Sequence, residues 1–294
     1  MFKPAAVLST LTLTLALGIA ASAQAAEAPL KLEVYANTDP STFGVASTLI
    51  TGKTEAILID AQFTLADAHR VVANVLASGK KLTTVYISHG DPDYYFGLEV
   101  ITQAFPGVKV VASAPTIAHI KRTLPNKMSY WGPILGTNAP KNPVVPAQLS
   151  GNTLTIDGEK LEVMGLDGDN AEHSFVWIPS IRTIAGGVSV FGNFHLWTAD
   201  DASVAKRAQW LKVLDKMEAL KPEVVIPGHF KAGTTFTVEH LQYNREYLKA
   251  YDLELAKAKD STALIAAMNK RYPNAGLGMA LEIGAKVNKG EMKW

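Results

Sequence analysis

The order in which strand-like and helix-like stretches follow one another restricts this chain most. Short β-branched or alternating runs at 31–36, 45–50 and 54–60, separated by Asp39-Pro40 and Gly52-Lys53, read as a β-meander. A helix is expected over 65–77, apolar at Ala68, Val71, Val72, Val75 and Leu76 and closed by Gly79. Strand 83–88, helix 93–104, strand 108–112 and helix 115–124 then alternate. A second meander occupies 153–156, 160–165, 174–178 and 182–185, followed by a helix over 202–219, a strand at 224–226 and a helix from about 238 to 259. Meander, helices, meander, helices is the order of an α/β protein with two sheets face to face and helices outside each. The stretch 125–146, with Pro125, Pro133, Pro140, Pro143 and Pro146, is expected to be a surface excursion within one domain, neither helix nor central strand.

The N-terminus reads as an export signal. Lys3 precedes an apolar stretch over 5–20, too short and too rich in small residues for a membrane span, and then Ala21-Ser22-Ala23-Gln24-Ala25-Ala26. Cleavage is expected after Ala23-Gln24-Ala25, or failing that after Ala21-Ser22-Ala23. Residues 1–25 are therefore a signal peptide in this reading, and 26–294 a single domain. The expected location is the periplasm or the outside of the cell, with no membrane attachment after cleavage.

Composition narrows the chemistry. The chain has no cysteine, which removes disulfides, thiolate nucleophiles and zinc–cysteine sites. Without Lys3 its 28 basic residues become 27, equal to the 27 acidic ones, and no basic run exists. Nucleic acid is not an expected partner. About 268 residues remain after cleavage, and a hydrophobic fraction of 48% is ample for a core. No G-x-S-x-G elbow and no glycine-rich phosphate loop is present, and Gly186-Gly187 lacks the rest of a dinucleotide site.

Three histidines stand where apolar strands begin or end, the place where α/β proteins hold ligands. His89 follows Val85-Tyr86-Ile87-Ser88, His229 follows Ile226-Pro227-Gly228, and His173 precedes Ser174-Phe175-Val176-Trp177. A lone histidine of this kind is usually an ordinary satisfied polar residue. Three in glycine- and carboxylate-bearing loops point to a site. His69, His119 and His240 lie in helices on mixed faces and read as structural.

These residues resemble the metallo-β-lactamase-fold hydrolases over nearly all of residues 26–294. That family's pattern is H-x-H-x-D-H after a strand, a distant His before a strand, an Asp in a glycine turn, and a final His in P-G-H. Here the first motif reads His89-Gly90-Asp91-Pro92-Asp93-Tyr94, continued by Phe96-Gly97; His173 matches the second element and Pro227-Gly228-His229 the last. Asp91 and Tyr94 replace two histidines, and Val188 stands where the turn aspartate would be.

The resemblance implies a four-layer αββα sandwich and a metal-dependent hydrolase acting on an ester, lactone, amide or phosphoester of a small molecule. Position by position it implies a metal on His89, Asp91 and His173, zinc first, with iron or manganese compatible. Asp93 and His229 remain for a second site that Tyr94 and Val188 make weak or absent, since a phenol with a pKa of about 10 is a poor ligand. Di-iron members carry Glu at the position of Asp91. Asp93 is then expected to orient a metal-bound water, or alternatively to cap helix 93–104, and His229 to contact substrate. His195, with Trp197 beside it, is expected at the same mouth or else as loop packing, and Met128–Pro133 as an aromatic flap or a packing anchor. The alternative is a binding protein that kept the fold and lost ligands; a di-iron oxidoreductase would need two full sites.

Overall fold

A computed structural model describes residues 29–168 and 170–294; the export segment 1–25 and its cleavage sites lie outside the described residues. The first sheet is β1 (Lys31–Tyr35), β2 (Ser47–Thr51), β3 (Glu55–Ile59), β4 (Lys81–Ile87), β5 (Lys109–Ala112) and β6 (Ala147–Gln148), side by side in that order. β1 to β3 form the expected antiparallel meander, and β4 to β6 continue it in parallel. The second half supplies β7 (Thr153–Ile156), β8 (Glu159–Met164), β9 (Phe175–Ile178), β10 (Thr183–Ala185), β11 (Phe191–Gly192), β12 (Val224–Val225) and β13 (His229–Phe230). The second sheet runs β12-β10-β9-β8-β7, and β11 pairs in parallel with β13.

Alternation along the strands explains the layering. In β3, Ile57 and Ile59 join Tyr86, Leu161, Val163, Val176 and Ile178 in a core between the two sheets, while Ala56 and Leu58 point the other way. The outward faces belong to a second apolar cluster that takes in helical residues, Val71 and Val75 on one side and Trp210, Val213 and Met217 on the other. Strands buried on both faces need helices outside them, and the chain provides them.

Helix α1 (Leu65–Ser78) starts where Thr64 accepts a hydrogen bond from the Asp67 backbone N–H and stops at Gly79 in the left-handed conformation, as its sequence required. The expected helix 93–104 is instead two pieces, α2 (Pro92–Tyr95) and α3 (Leu98–Ala104), broken at Phe96-Gly97. The Gly97 N–H bonds to Gln62 O rather than to the preceding turn. Asp91, not Asp93, holds the cap position, and its side chain makes no capping bond.

The largest departure is α4 (Ala114–Leu135), a continuous helix through Pro125 and Pro133 where a loop was expected from 125 onward. Ile117, Ile120, Leu124, Met128, Trp131 and Leu135 repeat at three- and four-residue steps and all pack on the core. A stripe of that length offsets the hydrogen bonds the two prolines remove. The remaining helices are α5 (Val204–Ala219), α6 (Glu239–Lys257), α7 (Ser261–Arg271) and α8 (Gly278–Asn288). Among the described residues no helix is long and apolar enough to cross a membrane.

Candidate functional site

The ends of β3, β4, β10 and β13 meet at one mouth, and buried hydrogen bonds fix them there. Asp60, just after β3, accepts from Ser88 N–H at 2.8 Å and from Ser88 Oγ at 2.6 Å. Ser88 Oγ accepts in turn from Gly187 N–H at 2.7 Å, tying the turn after β10 to the end of β4. Burial pushes the Asp60 carboxyl up to about 7 in spite of these bonds. Gly187 has a positive φ of 80°, and a Cβ there would lie 2.2 Å from Ser174 O. A Cβ on Gly228 would lie 2.1 Å from Gly187 O, so the two glycine turns press directly on each other.

Around this mouth His229 is held by both ring nitrogens. Nδ1 lies 3.2 Å from Phe43 O and Nε2 lies 2.9 Å from Tyr94 Oη. A carbonyl only accepts, so Nδ1 carries the proton, Nε2 accepts, and the Tyr94 hydroxyl donates. Burial lowers the ring's pKa to about 4, which keeps it neutral. Asp93 Oδ2 is 3.8 Å from His229 Nε2. Burial, and then the charge of Asp91, hold the Asp93 carboxyl well above the usual carboxylate range.

His173 is also engaged twice, by Asp201 Oδ2 at 2.9 Å from Nε2 and by Ser189 Oγ at 3.0 Å from Nδ1. His89 Nδ1 accepts the Asp91 backbone N–H at 3.3 Å, and burial lowers the His89 ring to about 4. The Asp91 carboxylate lies between two imidazoles, 3.7 Å from His89 Nδ1 and 3.7 Å from His119 Nε2, and 3.2 Å from Lys127 Nζ. Burial raises its pKa, but Lys127, His89 and His119 outweigh that and hold it at about 2.

Two cavities open beside these groups. One, of about 20 Å³, is lined by His89, His173, His119, Glu172, Asp200 and Asp201 among others. The second, of about 40 Å³, lies between Phe43, Trp131, Phe191, Trp197, Leu277 and Trp294, with Asp91, Asp93, Lys127 and His229 as its polar groups. Val188 lines both. Its side chain is apolar where a carboxylate would join the two halves of the mouth.

A profile of the metallo-β-lactamase superfamily matches residues 41–229, well over half of the chain. The chain belongs to the metallo-β-lactamase superfamily. Solved structures agree on the fold. The DIM-1 metallo-β-lactamase superposes with a TM-score of 0.53 at 17% identity, over 75% of this chain and 93% of its own. A metallo-β-lactamase from Pontibacter korlensis gives 0.52 at 20%, over 75% and 95%. A metallo-β-lactamase family protein from Thermus thermophilus gives 0.58 at 19%, over 89% and 94%. No curated protein matches the sequence.

The superfamily usually binds divalent metals, commonly zinc, and that expectation meets the side chains present here. Among the described residues, no group of three or more His, Asp or Glu side chains is arranged to hold a metal ion. In a metal site a histidine gives one N–H to a carboxylate and keeps the other nitrogen open for the ion. Asp201 is such a carboxylate for His173, but the opposite nitrogen meets Ser189. His229 meets Tyr94 in the same way, and Asp91 meets an ammonium. His89, Asp91, Asp93, His173 and His229 are brought to one mouth, yet Asp91, His173 and His229 are engaged by Lys127, Ser189 and Tyr94, and the five as placed do not fit a shared ion.

Other site residues are placed differently from the sequence reading. His195 is buried away from both cavities, its Nδ1 2.9 Å from Tyr247 Oη. Trp197 does line the mouth, and Trp131 reaches it from a helix, not from a loop. His119, read as structural, belongs to the site: its ring is 5.6 Å from that of His89 and its Nδ1 3.1 Å from Glu172 Oε2. Burial works against its charged form, but Glu172 and Asp91 raise its pKa overall. Lys127, Glu172, Ser189 and Asp201 were not singled out at all. Only the apolar stripe of α4, carried through its prolines, could have signalled His119 and Lys127.

Proposed function

We propose that this superfamily member binds a small molecule in the aromatic pocket at its mouth, without a resident divalent ion. The observation that carries this is the lining of the pocket: Phe43, Trp131, Phe191, Trp197 and Trp294 wall it, with a few convergent polar groups. Its mixture of apolar wall and sparse polar groups is that of ligand sites. A compact apolar or aromatic body carrying one polar group fits it best. Export through residues 1–25, placing the protein in the periplasm, belongs to the same proposal and rests on sequence alone.

The test is tryptophan fluorescence of the wild type and of Trp131→Ala, titrated with a panel of aromatic esters, lactones and amines. Saturable quenching in the wild type that Trp131→Ala weakens is expected. A panel that leaves the wild-type spectrum unchanged throughout would contradict the reading. A second reading, metal-dependent hydrolysis, is favoured by superfamily membership and by the presence of His89, Asp93, His173 and His229 at one mouth. Hydrolysis of the same esters and lactones, abolished by chelator and restored by zinc, would favour it over the first.

A further inference from the structure

Lys127 brings a positive charge to the mouth, against Asp91. Its Nζ is 3.2 Å from Asp91 Oδ1, in a pair whose side chains are only 18% and 15% exposed. The same ammonium stands 5.2 Å from the centre of the Trp294 ring, and it lines the pocket with Asp93 and His229. Asp91 is the residue that replaces a histidine in the first motif, and here it is held between His89 and His119. One substitution turns a neutral ligand into an anion, and a cation from α4 meets it.

The placement is built into the scaffold. Ile117 and Ile120 bury α4 on one side, and Leu124 and Trp131, one turn before and one turn after Lys127, pack on the core. The same helix brings His119 and Arg122 to Glu172, at 3.1 Å and 3.3 Å. Three basic residues of one helix thus face two carboxylates of two loops. An ammonium is a compact point charge, suited to neutralising a single carboxylate, and a divalent cation placed on Asp91 would stand against it as a like charge.

We propose that Lys127 supplies, from within the chain, the positive charge that a divalent ion supplies in metal-loaded members of this fold, and that its ammonium excludes such an ion from Asp91. The inference concerns the same mouth as the proposed binding function, but its test involves no ligand. Failure of ligand binding with the metal results as expected would count against the binding function alone.

The experiment is calorimetric titration of the wild type, Lys127→Met and Lys127→Arg with zinc chloride and, separately, manganese chloride. No saturable zinc binding in the micromolar range is expected for the wild type or for Lys127→Arg, whereas Lys127→Met should bind zinc saturably in that range, at least about tenfold more tightly than the weakest binding the titration detects. Uptake of one zinc per wild-type chain, or a Lys127→Met chain no tighter than the wild type, would overturn the proposal. Should Lys127→Met fail to fold, Lys127→Gln, which keeps a hydrogen-bond donor for Asp91, takes its place under the same criteria.

Discussion

Replacing Tyr94 with phenylalanine deletes one oxygen and keeps the ring, which makes it a sharp probe of the closed mouth. That oxygen is 2.9 Å from His229 Nε2 and 3.5 Å from Gly187 O, on a side chain with no exposure to solvent. Because Phe43 O fixes the proton on Nδ1, the deletion leaves Nε2 as a buried acceptor whose nearest other partner, Asp93 Oδ2, is 3.8 Å away. Stranding a buried polar atom costs about 1–3 kcal/mol. For a domain of this size each 1 kcal/mol lowers the melting temperature by about 2–4 °C, so Tyr94→Phe should fall by roughly 2 to 12 °C. Urea denaturation followed by circular dichroism should show a lower midpoint at unchanged slope. Tyr95 is the internal control: it is equally buried, but its hydroxyl has no hydrogen-bond partner, so Tyr95→Phe should be neutral or stabilising. Equal stability of Tyr94→Phe and the wild type would refute the Tyr94–His229 bond, and with it the tautomer assigned to His229.

Three further outcomes are expected. His89 and His229 are held neutral by burial, with pKa values lowered to about 4 from an ordinary value of 6.5. The unfolded chain therefore takes up protons first, and the stability these rings contribute is complete above pH 6.5 and lost as pH falls toward 4. The raised carboxyls of Asp60 and Asp93 act in the opposite sense, so the histidine contribution is read as the difference between the wild type and His229→Gln: the wild type should lose stability relative to that variant as pH falls from 6.5 toward 4, and a difference that does not change with pH would contradict the assignment. Pro125 is exposed in the interior of α4, so Pro125→Ala should restore a helical hydrogen bond and raise stability by about 1–3 kcal/mol; a loss would show that the helix does not continue through it. Gly228→Ala puts a Cβ 2.1 Å from Gly187 O and should cost about 1–3 kcal/mol, detectable by thermal melting, while an unchanged melt would mean the two turns are not in contact.

Much of the layering was legible in the order of segments. The meander of β1 to β3, the alternation that follows, the second meander and the caps of α1 depend on local pattern, and local pattern is what a sequence displays. Helix α4 was hidden because the prolines were given more weight than the stripe from Ile117 to Leu135, and tertiary packing decided otherwise. α7 and α8 were not anticipated. At the site, the loops bearing His89, His173 and His229 do reach one mouth, and the substitutions at Asp91, Tyr94 and Val188 were visible as departures. Their consequence was not visible, since Lys127 and Asp201 come from elements with no fixed spacing to the motifs, and Glu172 and Ser189, though next to His173 and Val188, meet partners that only the fold brings near. Tyr94 reads in sequence as a missing ligand; in the fold it is the hydroxyl that closes His229.

The most direct test is crystallographic: crystals soaked in zinc chloride, with anomalous data collected at the zinc edge. The expected result is no zinc bonded to His89, His173 or His229, Lys127 still on Asp91 and the Tyr94 hydroxyl still on His229. An anomalous peak coordinated by His89 and His173, with Lys127 displaced from Asp91, would contradict it.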